Sequence, residues 1–209
     1  MGHIILLGDS IFDNGVYVPG HPDVVKQLCG VLPEGWTASL LAVDGAVTRS
    51  VPSQLTRIPH DATHLVVSVG GNDALGESHI LSSSVRMVGE GVAVLADAQE
   101  RFARNYADML RSVLALELPT ALCTIYDTPP SAPNHRIIRT ALAVFNDVIT
   151  RAAFGEGLPL IDLRLICNEE GDYANPIEPS AQGGMKMARA IAGLVAGEGN
   201  DRRSLVAAA

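Results

Sequence analysis

Five short aliphatic runs constrain this chain more than any other feature. They span residues 3–8, 38–43, 64–70, 120–126 and 158–163, and they are nearly continuous in Ile, Leu and Val. A strand with one wet face alternates apolar and polar residues. An unbroken apolar run indicates a strand covered on both faces, as in a parallel sheet. Helical periodicity fills the intervals. Val24, Val25 and Leu28 mark a short helix, and Phe102, Tyr106, Met109, Val113 and Leu116 recur at steps of four and three along one face of a long one. Ile138, Leu142, Phe145, Ile149 and Ala152 form a second long stripe, and Met187, Ile191 and Leu194 a last one. All these stripes are expected to face the core. The alternation predicts an α/β fold: a three-layer α/β/α sandwich, flavodoxin-like, around a five-stranded parallel sheet with right-handed crossovers.

A chain of 209 residues suffices for one such domain and needs no metal or disulfide staple. No shift in composition marks a linker, so residues 1–197 read as a single domain and 198–209 as a flexible tail. The 15 basic residues against 23 acidic ones give a net charge of -8, which disfavours nucleic acid as a partner. Cys29, Cys123 and Cys167 are an odd, widely spaced set in apolar surroundings. They read as buried thiols, and neither a disulfide framework nor a metal or cofactor is implied. No apolar run reaches membrane-spanning length, and the first lacks the basic flank of a signal peptide. A cytoplasmic protein without a membrane span is therefore expected. The apolar segment 81–97 is a candidate lid or homodimer surface.

In an open α/β sheet, ligands bind beyond the carboxyl ends of the strands. The first such loop reads Gly8-Asp9-Ser10, the second Asp44-Gly45-Ala46-Val47-Thr48-Arg49, and the third Gly70-Gly71-Asn72-Asp73. Singly, each reads equally well as turn and cap chemistry. Each also presents something reactive: a hydroxyl, a bare glycine amide, and a neutral side-chain donor suited to an oxyanion.

Taken together and in this order, the three loops resemble the SGNH/GDSL hydrolase superfamily over roughly residues 3 to 195. Gly8-Asp9-Ser10 matches its first block, Gly45 its second, and Gly70-Gly71-Asn72-Asp73 its third. The resemblance implies Ser10 as nucleophile, and an oxyanion hole built from the Ser10 N–H, the Gly45 N–H and the Asn72 side chain. It implies a small-molecule ester or thioester as substrate and no cofactor.

One block departs from the pattern. Where the family carries Asp-x-x-His, this chain reads Asn175-Pro176-Ile177-Glu178, with Pro179-Ser180 and two glycines fixing the alignment. Asparagine stands at the aspartate position and glutamate at the histidine position. Glu178 is the expected base in place of histidine, with Asn175 orienting it. An ordinary glutamate near pKa ~4.3 predicts activity at lower pH than a histidine near ~6.5 sustains. Asp9, Arg49, Asn175 and His135 are expected around the substrate or just behind it. His135 is the preferred substitute base, and Arg49 is a candidate partner for Glu178 or for an anionic substrate group. The rival reading is a non-catalytic relative that binds ligands in the same pocket. A nucleotide binder is disfavoured, because no phosphate-binding glycine motif follows the first strand.

Overall fold

The computed structural model describes residues 1–195 and Gly197, so the tail expected over 198–209 lies outside the described residues. In chain order the elements are β1 (Gly2–Gly8), α1 (Val24–Val31), β2 (Trp36–Leu40), α2 (Val51–Leu55), β3 (His64–Ser68) and α3 (Gly71–Gly76). They continue with α4 (Val88–Leu114), β4 (Thr120–Cys123), α5 (His135–Gly155), β5 (Leu160–Ile161) and α6 (Leu163–Ile166). A short antiparallel pair, β6 (Tyr173–Asn175) and β7 (Glu178–Pro179), precedes the last helix, α7 (Ala181–Val195).

The sheet has five parallel strands in the order β2-β1-β3-β4-β5. Its layering follows from β1. Ile4 and Leu6 point to one face, where Val24 and Leu28 of α1 and Met187 and Ile191 of α7 cover them. Ile5 and Leu7 point to the other, under Phe102, Tyr106 and Met109 of α4 and Phe145 and Ile149 of α5. All four β1 side chains are fully buried. Each fully buried Leu or Ile contributes about 1.5–3 kcal/mol, so two-sided burial explains why these runs lack alternation.

Each of the five aliphatic runs overlaps one strand, and four of them outlast it by two or three residues. Run 120–126 pairs as a strand only to Cys123; beyond it, Asn146 of α5 takes over. Its side chain accepts from the Ile125 N–H at 2.8 Å and donates to the Ile125 carbonyl at 2.8 Å, standing in for a neighbouring strand. Run 38–43 leaves the ladder after Leu40, where the N–H groups of Leu41 and Ala42 both turn onto the Leu6 carbonyl. Cys29 corrects the expectation of three buried thiols. It follows Leu28 onto the outer side of α1 and is exposed, whereas Cys123 and Cys167 are buried. Leu116, expected on the α4 stripe, lies past the helix end and is exposed. No helix among the described residues is long and apolar enough to cross a membrane.

Candidate active site

The Gly8-Asp9-Ser10 turn is held by side chains as much as by its own sequence. Gly8 closes β1 at φ 127°, and a Cβ there would collide with the Ser68 carbonyl of β3, so only glycine fits. Buried Gln54 clamps the same residue: its Oε1 accepts from the Gly8 N–H at 2.9 Å and its Nε2 donates to the Gly8 carbonyl at 2.7 Å. The Asp9 N–H donates to the Ser68 carbonyl, and Asp9 Oδ1 accepts from the Ile11 N–H at 3.2 Å. This local turn delivers Ser10 to the carboxyl edge of the sheet, 5% exposed.

Opposite it stands the β6–β7 hairpin. Asn175 Oδ1 accepts from the N–H groups of both Ile177 and Glu178, each at 3.0 Å, which closes the turn and aims Glu178 inward. The Tyr126 hydroxyl donates to the Ile177 carbonyl, and Asn14 Nδ2 donates to the Pro179 carbonyl, fixing the hairpin against the first and fourth loops. The outcome is a direct contact: Ser10 Oγ donates to Glu178 Oε1 at 3.0 Å. Glu178 is 4% exposed, and its other oxygen, Oε2, is buried without a partner among the described residues. Asn175 thus shapes the turn with a neutral oxygen and adds no third carboxyl group beside Asp9 and Glu178.

Asn72 opens α3 and lines the same cavity; its Nδ2 donates one proton to the Ala46 carbonyl at 3.0 Å, leaving a second. Asp73 ties the loops together by accepting from the Thr48 N–H at 2.9 Å and the Thr48 hydroxyl at 2.7 Å. Gly45 sits at φ 77° on the exposed side of its loop and does not itself line the cavity. Among the described residues, neither the Ser10 N–H nor the Gly45 N–H meets an acceptor.

Two sequence expectations are corrected. Arg49 turns away, with Nε and Nη2 both donating to Asn105 Oδ1 at 3.1 and 3.0 Å; it is exposed and contacts neither the cavity nor Glu178. Its position in a three-residue 3-10 turn, Thr48–Ser50, against α4 explains the direction. His135 begins α5 with Nδ1 against the carbonyl and hydroxyl of cavity-lining Thr128, at 3.0 and 3.1 Å, so it stands behind the wall as a neighbour and not as a substitute base; among the described residues no histidine lines the cavity.

The cavity beside Ser10 has a volume of about 230 Å³. Its inner wall is aliphatic and aromatic, from Ile80, Leu81 and Leu95 to Ile138, Leu142 and Phe145. The first half of the α5 stripe therefore faces a cavity rather than the core, and segment 81–97 contributes wall through Leu81 and Leu95. Burial in this setting disfavours charge. Burial first, opposed by the Ile11 N–H and joined by the nearby Glu178 charge, raises Asp9 to about 8. Burial also raises Glu178 to about 7, against the Ser10 hydrogen bond and with help from Asp44. That value removes the expected acid tolerance, since it stands where a histidine would.

A parallel sheet carrying a serine–carboxyl contact and free amide donors at its carboxyl edge has the layout of a serine hydrolase. The family model described as GDSL-like lipase/acylhydrolase matches residues 6–184, and the chain belongs to that family. No curated protein matches. Among solved structures, the chain is similar to a lipase from a goat rumen metagenome (19% identity, TM-score 0.70, covering 91% of this chain and 96% of that one). It is similar to an extracellular lipase of Streptomyces rimosus (16%, 0.68, 91% and 98%) and to phospholipase A1 of Streptomyces albidoflavus NA297 (18%, 0.64, 91% and 97%). At these identities the likeness is one of fold.

Gln54, Asn14, Asn146 and Tyr126 hold the site, yet nothing in the sequence singled them out. They act through backbone groups, which leave no motif. The polar Gln54 within the apolar-flanked Val51–Leu55 turn was the one visible hint.

Proposed function

We propose that the protein is a serine ester hydrolase with Ser10 as nucleophile and Glu178 as general base. The observation that carries this reading is the buried 3.0 Å contact from Ser10 Oγ to Glu178 Oε1, in a cavity that no histidine among the described residues lines. Glu178 accepts the Ser10 proton as Oγ bonds to the ester carbonyl carbon. The resulting oxyanion is met by the Ser10 N–H and the second Asn72 amide proton, donors fixed before the reaction; Gly45, outside the cavity lining, is not among them. Collapse breaks the ester C–O bond, and protonated Glu178 returns its proton to the departing alkoxide. Glu178 then takes a proton from water, which attacks the acyl-enzyme and frees the acid and Ser10. A base near pH 7 combines ready ionisation with useful basicity, and burial supplies that tuning to Glu178.

Turnover of a short-chain aryl ester tests this. Ser10→Ala is expected to abolish it, and Glu178→Gln to lower kcat by about 10²–10⁴. In the wild type, kcat/KM falls as pH drops through about 7, because protonated Glu178 accepts nothing. Unchanged turnover in Ser10→Ala contradicts the assignment.

A further inference from the structure

The charges around the cavity are one-sided. Asp9, Glu77, Asp127 and Glu178 line it, and among the described residues no Lys, Arg or His does. Glu77 is neutralised from outside by Arg101, which contacts it at 2.9 and 3.1 Å. Glu178 has no such partner. Its Oε2 is buried and unpaired, although a buried carboxylate oxygen strongly favours a donor. The acidic rim continues past Glu178: Asp44 is close enough to raise it, and Asp44 in turn is tied to Asp13, whose Oδ2 accepts the Asp44 N–H at 2.9 Å. The inner wall, by contrast, carries Ile80, Leu95, Ile138, Leu142 and Phe145 and offers an acyl chain nothing but apolar contact.

We propose that this site selects esters of apolar acyl chains whose alcohol part presents a hydrogen-bond donor or a positive charge to Glu178 Oε2, and turns away substrates with a carboxylate or phosphate near the ester. The inference rests on the cavity being the ester site. The acyl chain lies along the α4–α5 wall, and the alcohol part passes Glu178 toward the acidic rim. A hydroxyl or ammonium there meets the unpaired Glu178 Oε2. An anion meets Glu178 and Asp44 with no cation to compensate, and like-charge juxtaposition is costly.

Binding of unreactive amides to Ser10→Ala, measured by calorimetry at pH 8, separates this from the catalytic reading. Four hexanoyl amides share one chain: N-propyl, N-(2-hydroxyethyl), N-(2-dimethylaminoethyl), and the β-alanine conjugate, which is anionic. The hydroxyethyl and dimethylaminoethyl amides are expected to bind tighter than the propyl amide, and the β-alanine conjugate weaker than it by about tenfold or more. Shortening the acyl group from hexanoyl to acetyl weakens binding by about fourfold per methylene. In Ser10→Ala/Glu178→Gln the advantage of the cation over the propyl amide disappears. The proposal is overturned if the anionic amide binds as well as the propyl one, if Glu178→Gln leaves the order unchanged, or if none of the four binds. If the order holds while the wild type hydrolyses no ester, the selectivity stands and the catalytic reading falls.

Discussion

Glu178 and Asp9 are two carboxyl groups in one buried site with no cation beside them among the described residues. That arrangement has a consequence for stability. Asp9 rises from an ordinary 3.8 to about 8, with burial the main cause. A raised carboxyl favours the folded state while protonated in both states, and this contribution is lost as pH climbs from about 4 through 8. Each tenfold weakening of the acid in the folded state corresponds to about 1.4 kcal/mol. Glu178 acts in the same sense up to about 7. Carboxyls held low, such as Asp172 beside Lys186, change protonation below this window and leave it unaffected. Urea denaturation at pH 5 and pH 8.5 is expected to show a clear loss of midpoint in the wild type and a smaller loss in Asp9→Asn. Asparagine keeps an oxygen for the Ile11 N–H, so a collapse of Asp9→Asn at pH 5 would mean that Asp9 is needed ionised. Asp9 and Ser10 were legible because Gly8-Asp9-Ser10 is a contiguous motif. The neutrality of Asp9 was not, because it arises from burial by residues far away in the chain.

Elements place these groups. The Gln54 side chain pairs with both backbone groups of Gly8, so α2 anchors the very end of β1. Gln54→Ala leaves the buried Gly8 N–H unmet, at about 1–3 kcal/mol, while the Val43 N–H at 3.0 Å still serves the Gly8 carbonyl. The variant is expected to lose about 1–3 kcal/mol in chemical denaturation and to lower kcat by displacing Ser10; retention of both would show that another group takes over the Gly8 N–H. Such anchors were invisible in sequence, whereas the strands were plain because each is buried on both sides. The α5 stripe shows the limit of periodicity. Ile149 faces the core as expected, but Ile138 and Leu142 face the cavity. The same spacing serves both, because an apolar wall and an apolar core ask for the same side chains. Arg49 shows another limit, since a residue next to a site motif can point either way and the packing of its turn on α4 decides.

At the scale of the molecule, the parallel sheet brings residues 10, 72 and 178 to one edge, although they lie in the first, third and last loops of the chain. The order of those loops made the family legible. The last block, Asn175 to Glu178, was legible as a departure from the family pattern, and its geometry supplies the rest: hairpin β6–β7 aims a carboxylate at Ser10. If this carboxylate activates Ser10, a small fluorophosphonate reports it without knowledge of the substrate, the adduct being located by mass spectrometry. Labelling is expected at Ser10, faster as pH rises through about 7 and slowed by about 10²-fold or more in Glu178→Gln. A folded protein that is not labelled, or one labelled equally fast without Glu178, contradicts activation by Glu178.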